Sequence, residues 1–302
     1  MENKQKIICL VGPTAVGKTD MSIKIAKRFN LNVISGDSMQ VYKGMDIGTG
    51  KISREEMDGV RHEMIDILSP EEEFSVKEFQ TRVRELMERE YKNDNIPFIV
   101  GGTAFYIHAL INDFQFDDED HKEKEARVQY YETFSSETLY EKIKALNEDV
   151  HINNRKRMIR ILVKHDLGAK TSHDIEEKYD ALIIGLYDDR DVLYERINER
   201  VLTMMNEGLE EEVSNLFETY DLSKTALGAI GYHEFIDYFN GKKSFDKVVE
   251  DIQQDSRRYA KRQLTYLRNK LNVEWYKVGT DETEIFERIE AFIKKVSLII
   301  NQ

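Results

Sequence analysis

Short unbroken apolar runs alternate along the chain with longer segments in which apolar residues recur every three or four positions. Residues 6–11 (KIICLV), 31–35 (LNVIS), 96–100 (IPFIV) and 181–187 (ALIIGLY) are the short runs. Their length and β-branched content predict strands buried on both faces. Residues 20–29 place Met21, Ile23, Ile25, Ala26 and Phe29 as a helix would, and 75–92 put Val76, Phe79, Val83, Leu86 and Met87 on one helical face. Beyond residue 187 the pattern predicts long helices over 191–217, 225–239 and 246–271, and a last strand over 273–278. From 117 to about 180 the patterns are helical, with no convincing strand. Strand–helix alternation of this kind predicts an α/β fold, a parallel sheet flanked by helices, here interrupted by an all-helical insertion domain. The expected boundaries are 1–116 with 181–302 for the core and 117–180 for the insertion.

Composition narrows the class. The 302 residues are 40% apolar and 33% charged, a heavily charged surface around a core large enough to need no staples. A single cysteine, Cys9, excludes a disulfide framework and a cysteine-based zinc site. The apolar run at the N-terminus is too short for a signal peptide, and no stretch approaches the roughly 20 apolar residues of a membrane span. A cytoplasmic protein without a membrane partner is therefore expected. The net charge of −13 argues against a non-specific nucleic-acid binder. The charge is uneven, however. Residues 153–164 hold five basic residues and 256–270 hold six, neither segment containing an acid.

The chemistry concentrates after the strand ends. Gly12, Pro13, Thr14, Ala15, Val16, Gly17, Lys18 and Thr19 match G-x-x-x-x-G-K-[ST] between a predicted strand and a predicted helix. That context is the one a phosphate-cradling P-loop requires. Backbone N–H groups curl around phosphate oxygens, the helix N-terminus adds positive potential, and Lys18 adds a charge. The hydroxyl of Thr19 suits Mg2+ or a phosphate oxygen. The loop predicts a phosphate site without specifying ATP. Asp37 follows the second strand and Gly101-Gly102-Thr103 follow the third, so both are expected to face the same crevice. On spacing alone Asp37 is equally a general base, a metal ligand or a cap or turn residue. The glycine pair suggests close backbone approach to a ligand, or a tight turn.

No Asp ends the IPFIV strand, where phosphoryl-transfer enzymes with this loop usually organise Mg2+. Asp188 and Asp189 follow a later strand, where helix capping is an equal reading. In the basic islands, Arg157, Arg160 and Lys164 share one helical face, and Arg258, Lys261, Arg262 and Thr265 another. With no acid inside either island for i,i+4 pairing, phosphate-backbone binding is favoured over a plain solvated surface. The seven histidines show no metal-ligand spacing.

With these residues in view, the chain resembles the tRNA dimethylallyltransferases (tRNA isopentenyltransferases) over essentially its whole length. GPTAVGKT, VISGDSMQVYKGMDIGTGK at 33–51 and FIVGGTAFYIHAL at 98–110 carry the resemblance most strongly. NNRKRMIRIL, GAIGYHEF and KRQLTYLR carry it more weakly. It implies a P-loop NTPase-like core and transfer of a dimethylallyl group from dimethylallyl diphosphate to N6 of the adenosine 3′ to the anticodon. Gly12 to Thr19 would hold the diphosphate, with Lys18, Thr19 and Mg2+ stabilising its charge. Asp37 would be the general base, and Ser38, Met39 and Gln40 would line the pocket of the extruded base. Thr103, Arg127, Arg157, Arg160, Arg258 and Arg262 would contact the tRNA anticodon stem-loop. A monomer is expected. Some relatives carry an extra arginine near the GxGY-type block, where this chain has His233, so that role stays unassigned among Arg160, Arg258 and Arg262. The rival classes are an ATP-dependent small-molecule kinase and a nucleotide-gated RNA-binding switch.

Overall fold

The computed structural model describes residues 4–116, 121–167, 178–279 and 282–294. The acidic run 117–120 and residues 168–177, both inside the expected insertion, lie outside the described residues. The sheet has six parallel strands: β1 Gln5–Val11, β2 Val33–Ser35, β3 His62–Glu63, β4 Phe98–Gly101, β5 Tyr179–Tyr187 and β6 Glu274–Lys277. Their order is β3-β2-β4-β1-β5-β6. Strand β3 carries only two residues and no apolar run, which is why no pattern in the sequence announces it. Strand β5 starts before the expected boundary at 181, because Tyr179 and Asp180 pair with Gln5 and Lys6 of β1. By contact the chain divides into residues 1–113 with 177–302, and residues 114–176.

In the first unit the helices are α1 Lys18–Phe29, α2 Val76–Lys92, α3 Ala104–Ile111, α7 Arg190–Asn206, α8 Leu209–Thr219, α9 Lys224–Leu227, α10 Ile236–Phe239, α11 Phe245–Lys270 and α12 Glu282–Lys294. The second unit holds α4 His121–Glu132, α5 Ser136–Ala145 and α6 Arg155–Asp166. Strand periodicity decides which helices cover which face. In β1, Ile7, Cys9 and Val11 point to one side, where Phe79, Val83 and Met87 of α2 and Ile107 and Leu110 of α3 close the core. Ile8 and Leu10 point to the other, against Met21, Ile25 and Ala26 of α1 and Ile285, Ile289 and Phe292 of α12. Every one of these β1 side chains is fully buried, so truncating Ile8 to alanine would cost about 2–5 kcal/mol.

Two expected helices are broken. The pattern over 191–217 is continuous, yet Gly208 adopts φ 101° and ends α7, so that α8 sets off separately. Over 225–239 the chain forms α9, a 3₁₀ turn at His233–Phe235 and α10 instead of one helix, with Gly231 at φ 94° between them. Both breaks place backbone beside the crevice described below. No helix among the described residues is long and apolar enough to cross a membrane. The second unit has its own small core, in which Tyr131 of α4, Leu139 and Ile143 of α5, and Met158, Ile159 and Leu162 of α6 are buried.

Candidate active site

A cleft of about 1050 Å³ opens over the carboxyl ends of the parallel strands in the first unit. That is where an open α/β sheet presents its loops to a ligand. The loop after β1 enters it through Thr14 to Thr19, and Asp37, which follows β2, and Gly101 and Gly102, which end and follow β4, line the same cleft. Gly12 and Pro13 stay buried beneath the loop. Ala15 holds a left-handed φ of 61°, an uncommon conformation for a residue with a side chain, and Gly17 at φ 94° turns the chain into α1. The first-turn N–H groups of α1 therefore face the cleft, as an anion site requires.

Lys18 curls back onto its own loop, with Nζ donating to the carbonyls of Gly12 at 3.1 Å and Pro13 at 2.7 Å. Burial pulls its pKa down to about 8; Asp37 opposes that shift and Arg200 adds to it. A cation thus held awaits negative charge. Arg200, on α7, also lines the cleft, and burial lowers its pKa while Asp37 raises it. Its Nη2 donates to the Gly50 carbonyl at 3.4 Å. One carboxylate, Asp37, thus faces two partly buried cations.

Asp37 accepts the N–H of Met39 on Oδ1 at 2.8 Å, and its own N–H points at Ser35 Oγ, 3.4 Å away. The turn reading of the sequence is therefore realised as an Asx turn, though no helix follows it and the helix-cap reading falls away. The turn pins one carboxylate oxygen and turns the group into the cleft. Ser38, Met39 and Gln40 line the cleft beside it. Thr103 stands behind them: the N–H of Ser38 donates to its Oγ1 at 3.0 Å, and that hydroxyl lies 3.2 Å from Ser38 Oγ.

The glycine pair at 101–102 has a reason that spacing did not supply. A Cβ on Gly101 would lie 2.4 Å from the backbone of Gly36, and one on Gly102 would lie 2.4 Å from Gln263 Nε2. The close approach is to protein, and it locks the ends of β2 and β4 together. Gln263 of α11 completes the lock. It is buried, donates to the Gly102 carbonyl at 2.8 Å and accepts the Thr14 N–H at 2.9 Å, joining the P-loop to the β4 turn.

A family model described as IPP transferase matches residues 40–270. The chain belongs to the IPP transferase family. It is 42% identical to the tRNA dimethylallyltransferase of Macrococcus caseolyticus, over 98% of this chain and 96% of that protein. The corresponding Bacillus pumilus protein is 47% identical over 91% and 90%. Among solved structures, a tRNA isopentenylpyrophosphate transferase from Bacillus halodurans aligns at 40% identity with a TM-score of 0.75, covering 99% of this chain and 100% of that one. A eukaryotic dimethylallyltransferase acting on tRNA aligns at 26% identity and a TM-score of 0.77, covering 99% and 80%.

Four residues of this IPP transferase's cleft carry no signal of their own in the sequence: Arg196, Arg200, Tyr259 and Gln263. Arg196 and Arg200 recur at i,i+4 on α7, a spacing that surrounding acids hide. Tyr259 and Gln263 sit inside the second basic island on α11. Burial is the main force holding the Tyr259 phenol up at about 12, with Asp37 adding to it. Asp188 pairs with Arg196 at 2.8 Å and Asp189 with Lys277 at 2.7 Å, so both late strand-end acids are engaged by cations.

The islands divide. Arg262 lines the cleft. Arg258 does not; the island itself holds no acid, but Asp255, one residue upstream of it, pairs with Arg258 at 3.0 Å. In the second unit, Arg157 and Arg160 are exposed on α6, whose Met158, Ile159 and Leu162 face inward. Ile159 is buried in that core and Ile161 packs partly buried against it. Arg127 pairs there with Asp166 at 3.4 Å, and Tyr131 donates to the same carboxylate at 2.8 Å. His233 Nδ1 is bonded to the Ala229 carbonyl at 2.9 Å and lies 3.4 Å from Glu234, so it is tied into the 229–234 turn.

Proposed function

We infer that this protein transfers a dimethylallyl group from dimethylallyl diphosphate to N6 of the adenosine 3′ to the anticodon of tRNA, releasing diphosphate. The observation that carries the reading is the meeting, in one cleft, of a P-loop lysine, a second partly buried cation and a strand-end carboxylate. The family membership and the DSMQ segment around Asp37 support the same assignment.

In the reaction the N6 nitrogen bonds to C1 of the dimethylallyl group while the C1–O bond to diphosphate breaks. The exocyclic amine is a poor nucleophile until it loses a proton, and Asp37 accepts that proton as the N–C bond forms. Charge grows on the departing diphosphate oxygens. The N–H groups of residues 15–19, Lys18 and Arg200 stabilise it there more than in the ground state. Arg200 takes the role left unassigned among Arg160, Arg258 and Arg262. The target base leaves its stack to reach Asp37, with Ser38, Met39 and Gln40 lining its pocket and Thr103 holding Ser38 in place.

The Thr19 hydroxyl, which lines the cleft at the phosphate loop, is an oxygen donor of the kind Mg2+ takes. Thr19 would hold the ion, which would neutralise diphosphate charge. ATP would enter the loop through its phosphates without being turned over. Arg262 at the cleft, with Arg127, Arg157, Arg160 and Arg258, would engage the tRNA backbone. The protein would act in the cytoplasm.

Incubation with undermodified tRNA and labelled dimethylallyl diphosphate tests the reading. Label in tRNA with equimolar diphosphate release is expected. ATP hydrolysis stimulated by a small metabolite, with no label in tRNA, would install a kinase instead.

A further inference from the structure

Residues 46–50 form one wall of the cleft, and their backbone is held from a helix with no residue in the chemistry. Glu212 of α8 accepts four hydrogen bonds. Its Oε2 takes the N–H groups of Asp46 at 3.0 Å and Ile47 at 2.7 Å; its Oε1 takes the Gly48 N–H at 3.1 Å and the Tyr232 hydroxyl at 2.6 Å. Three successive backbone donors on one carboxylate make a charge-assisted grip, stronger than neutral bonds of the same count. Tyr232 is fully buried, and burial followed by Glu212 pushes its phenol pKa up, so it remains a donor.

The wall is also tight on both sides. A Cβ on Gly48 would lie 2.5 Å from the Tyr232 ring, and one on Gly50 would lie 1.5 Å from the Arg200 guanidinium. The Gly50 carbonyl, at the far end of the grip, accepts from Arg200 Nη2 and from Gln40 Nε2, each at 3.4 Å. Gln40 in turn accepts from Ser35 Oγ at 3.0 Å, beside Asp37. A continuous bonded path runs from Glu212 through the 46–50 backbone to the cation and the amide that flank the carboxylate.

We propose that Glu212 is a positioning residue: it clamps residues 46–48 so that the Gly50 carbonyl aims Arg200 at the leaving diphosphate and Gln40 at the adenine pocket. This rests on the functional reading above in its catalytic half only. Glu212 does not line the cleft, and its neighbour Glu210, which accepts from the Tyr238 hydroxyl at 2.8 Å, provides a control of matched chemistry.

The test compares Glu212→Gln, Glu210→Gln, Arg200→Gln and the Glu212→Gln/Arg200→Gln double variant. An amide at 212 is isosteric but presents N–H groups to N–H donors. Expected for Glu212→Gln is a kcat loss of about 10–100-fold, the scale of a group displaced by about 1 Å, with KM for tRNA unchanged. Amide exchange read on peptides covering 45–51 should lose protection. The double variant should fall below Arg200→Gln alone by less than the Glu212→Gln loss in wild type, because the clamp acts in part through that arginine and in part through Gln40. Glu210→Gln should stay within about twofold of wild type in kcat. A kcat for Glu212→Gln within twofold, losses that multiply in the double variant, or retained protection at 45–51 would each overturn the proposal. If Glu212→Gln does not fold, Glu212→Asp keeps the charge but shortens the reach, and the same kcat loss at unchanged tRNA KM is expected. Wild-type protein that transfers no dimethylallyl group removes the catalytic half, and the exchange result then judges the clamp by itself.

Discussion

Asp37 and Lys18 are the residues on which the chemistry turns. The Asx turn that anchors one oxygen of Asp37 leaves the carboxylate preorganised, so removing its basicity should act on chemistry more than on binding. Asp37→Asn is expected to lower kcat by about 10²–10⁴ with tRNA affinity little changed. Single-turnover transfer beside a tRNA binding titration checks this, and near-normal turnover would return Asp37 to a turn-forming role. Lys18 yields a pH prediction. Its folded pKa is depressed to about 8 by burial, so the folded protein holds fewer protons than the unfolded chain between that pH and the ordinary lysine range. Keeping the charge buried therefore costs stability below about pH 8, and that cost is relieved as pH rises. Ligand binding runs the other way. The terminal phosphate of the donor has ionised by about pH 6, so above about pH 8 only the lysine changes and the donor should bind more weakly. Titrations of dimethylallyl diphosphate from neutral to alkaline pH should show that step, and Lys18→Ala should bind weakly at every pH and lose it.

At the scale of elements, α11 does more than its basic sequence suggests. Its outer face carries Arg258, while Gln263, a turn and a half further on, is buried between the P-loop and β4. Gln263→Leu would leave the Thr14 N–H without its partner and the Gly102 carbonyl with the Ala104 N–H alone, a loss of about 1–3 kcal/mol for the orphaned donor. A lowered unfolding midpoint together with weakened diphosphate binding is expected, whereas a surface glutamine would change neither. The islands separate in the same way. Because Asp255 already engages Arg258, Arg258→Gln should flatten the salt dependence of tRNA binding less than Arg157→Gln, Arg160→Gln or Arg262→Gln. Each of those three should remove about 0.7–0.9 of log–log slope if it meets a phosphate. Equal slopes for all four variants and wild type would leave the islands as ordinary surface.

For the whole molecule, the division into two units predicts the outcome of a deletion. Asp113 and Lys178, which flank the 114–176 unit, lie 3.7 Å apart as an ion pair in the first unit. The chain leaves the first unit just after α3 and returns to it beside the start of β5, so a short Gly-Ser linker can replace residues 114–176 without stretching β5. The shortened protein should fold cooperatively, keep diphosphate binding and lose tRNA affinity. Failure to bind diphosphate would show that the second unit is needed to build the cleft.

The strands β1, β2, β4, β5 and β6, the helices α1 and α2 and the phosphate loop were all legible in the chain, because each is a local matter of period, turn chemistry and spacing. So was the shared position of Asp37 and Gly101-Gly102, since a parallel sheet puts every strand's carboxyl end on one edge; Thr103, expected beside them, stands behind Ser38 instead. Tertiary structure alone decided the rest. A two-residue strand such as β3 exists only because β2 offers an edge. The break at Gly208 follows from its left-handed φ, and the one at Gly231 from the same conformation and its approach to the Gly48 backbone, neither of which the apolar period shows. Arg200, Gln263 and Glu212 act across separations that leave no mark in sequence: their partners lie 150, 161 and 164 residues away at Gly50, Gly102 and Gly48. A buried cation or amide is indistinguishable in composition from an exposed one until the fold brings it a partner, since only then does its charge or hydrogen-bonding capacity have something to act upon.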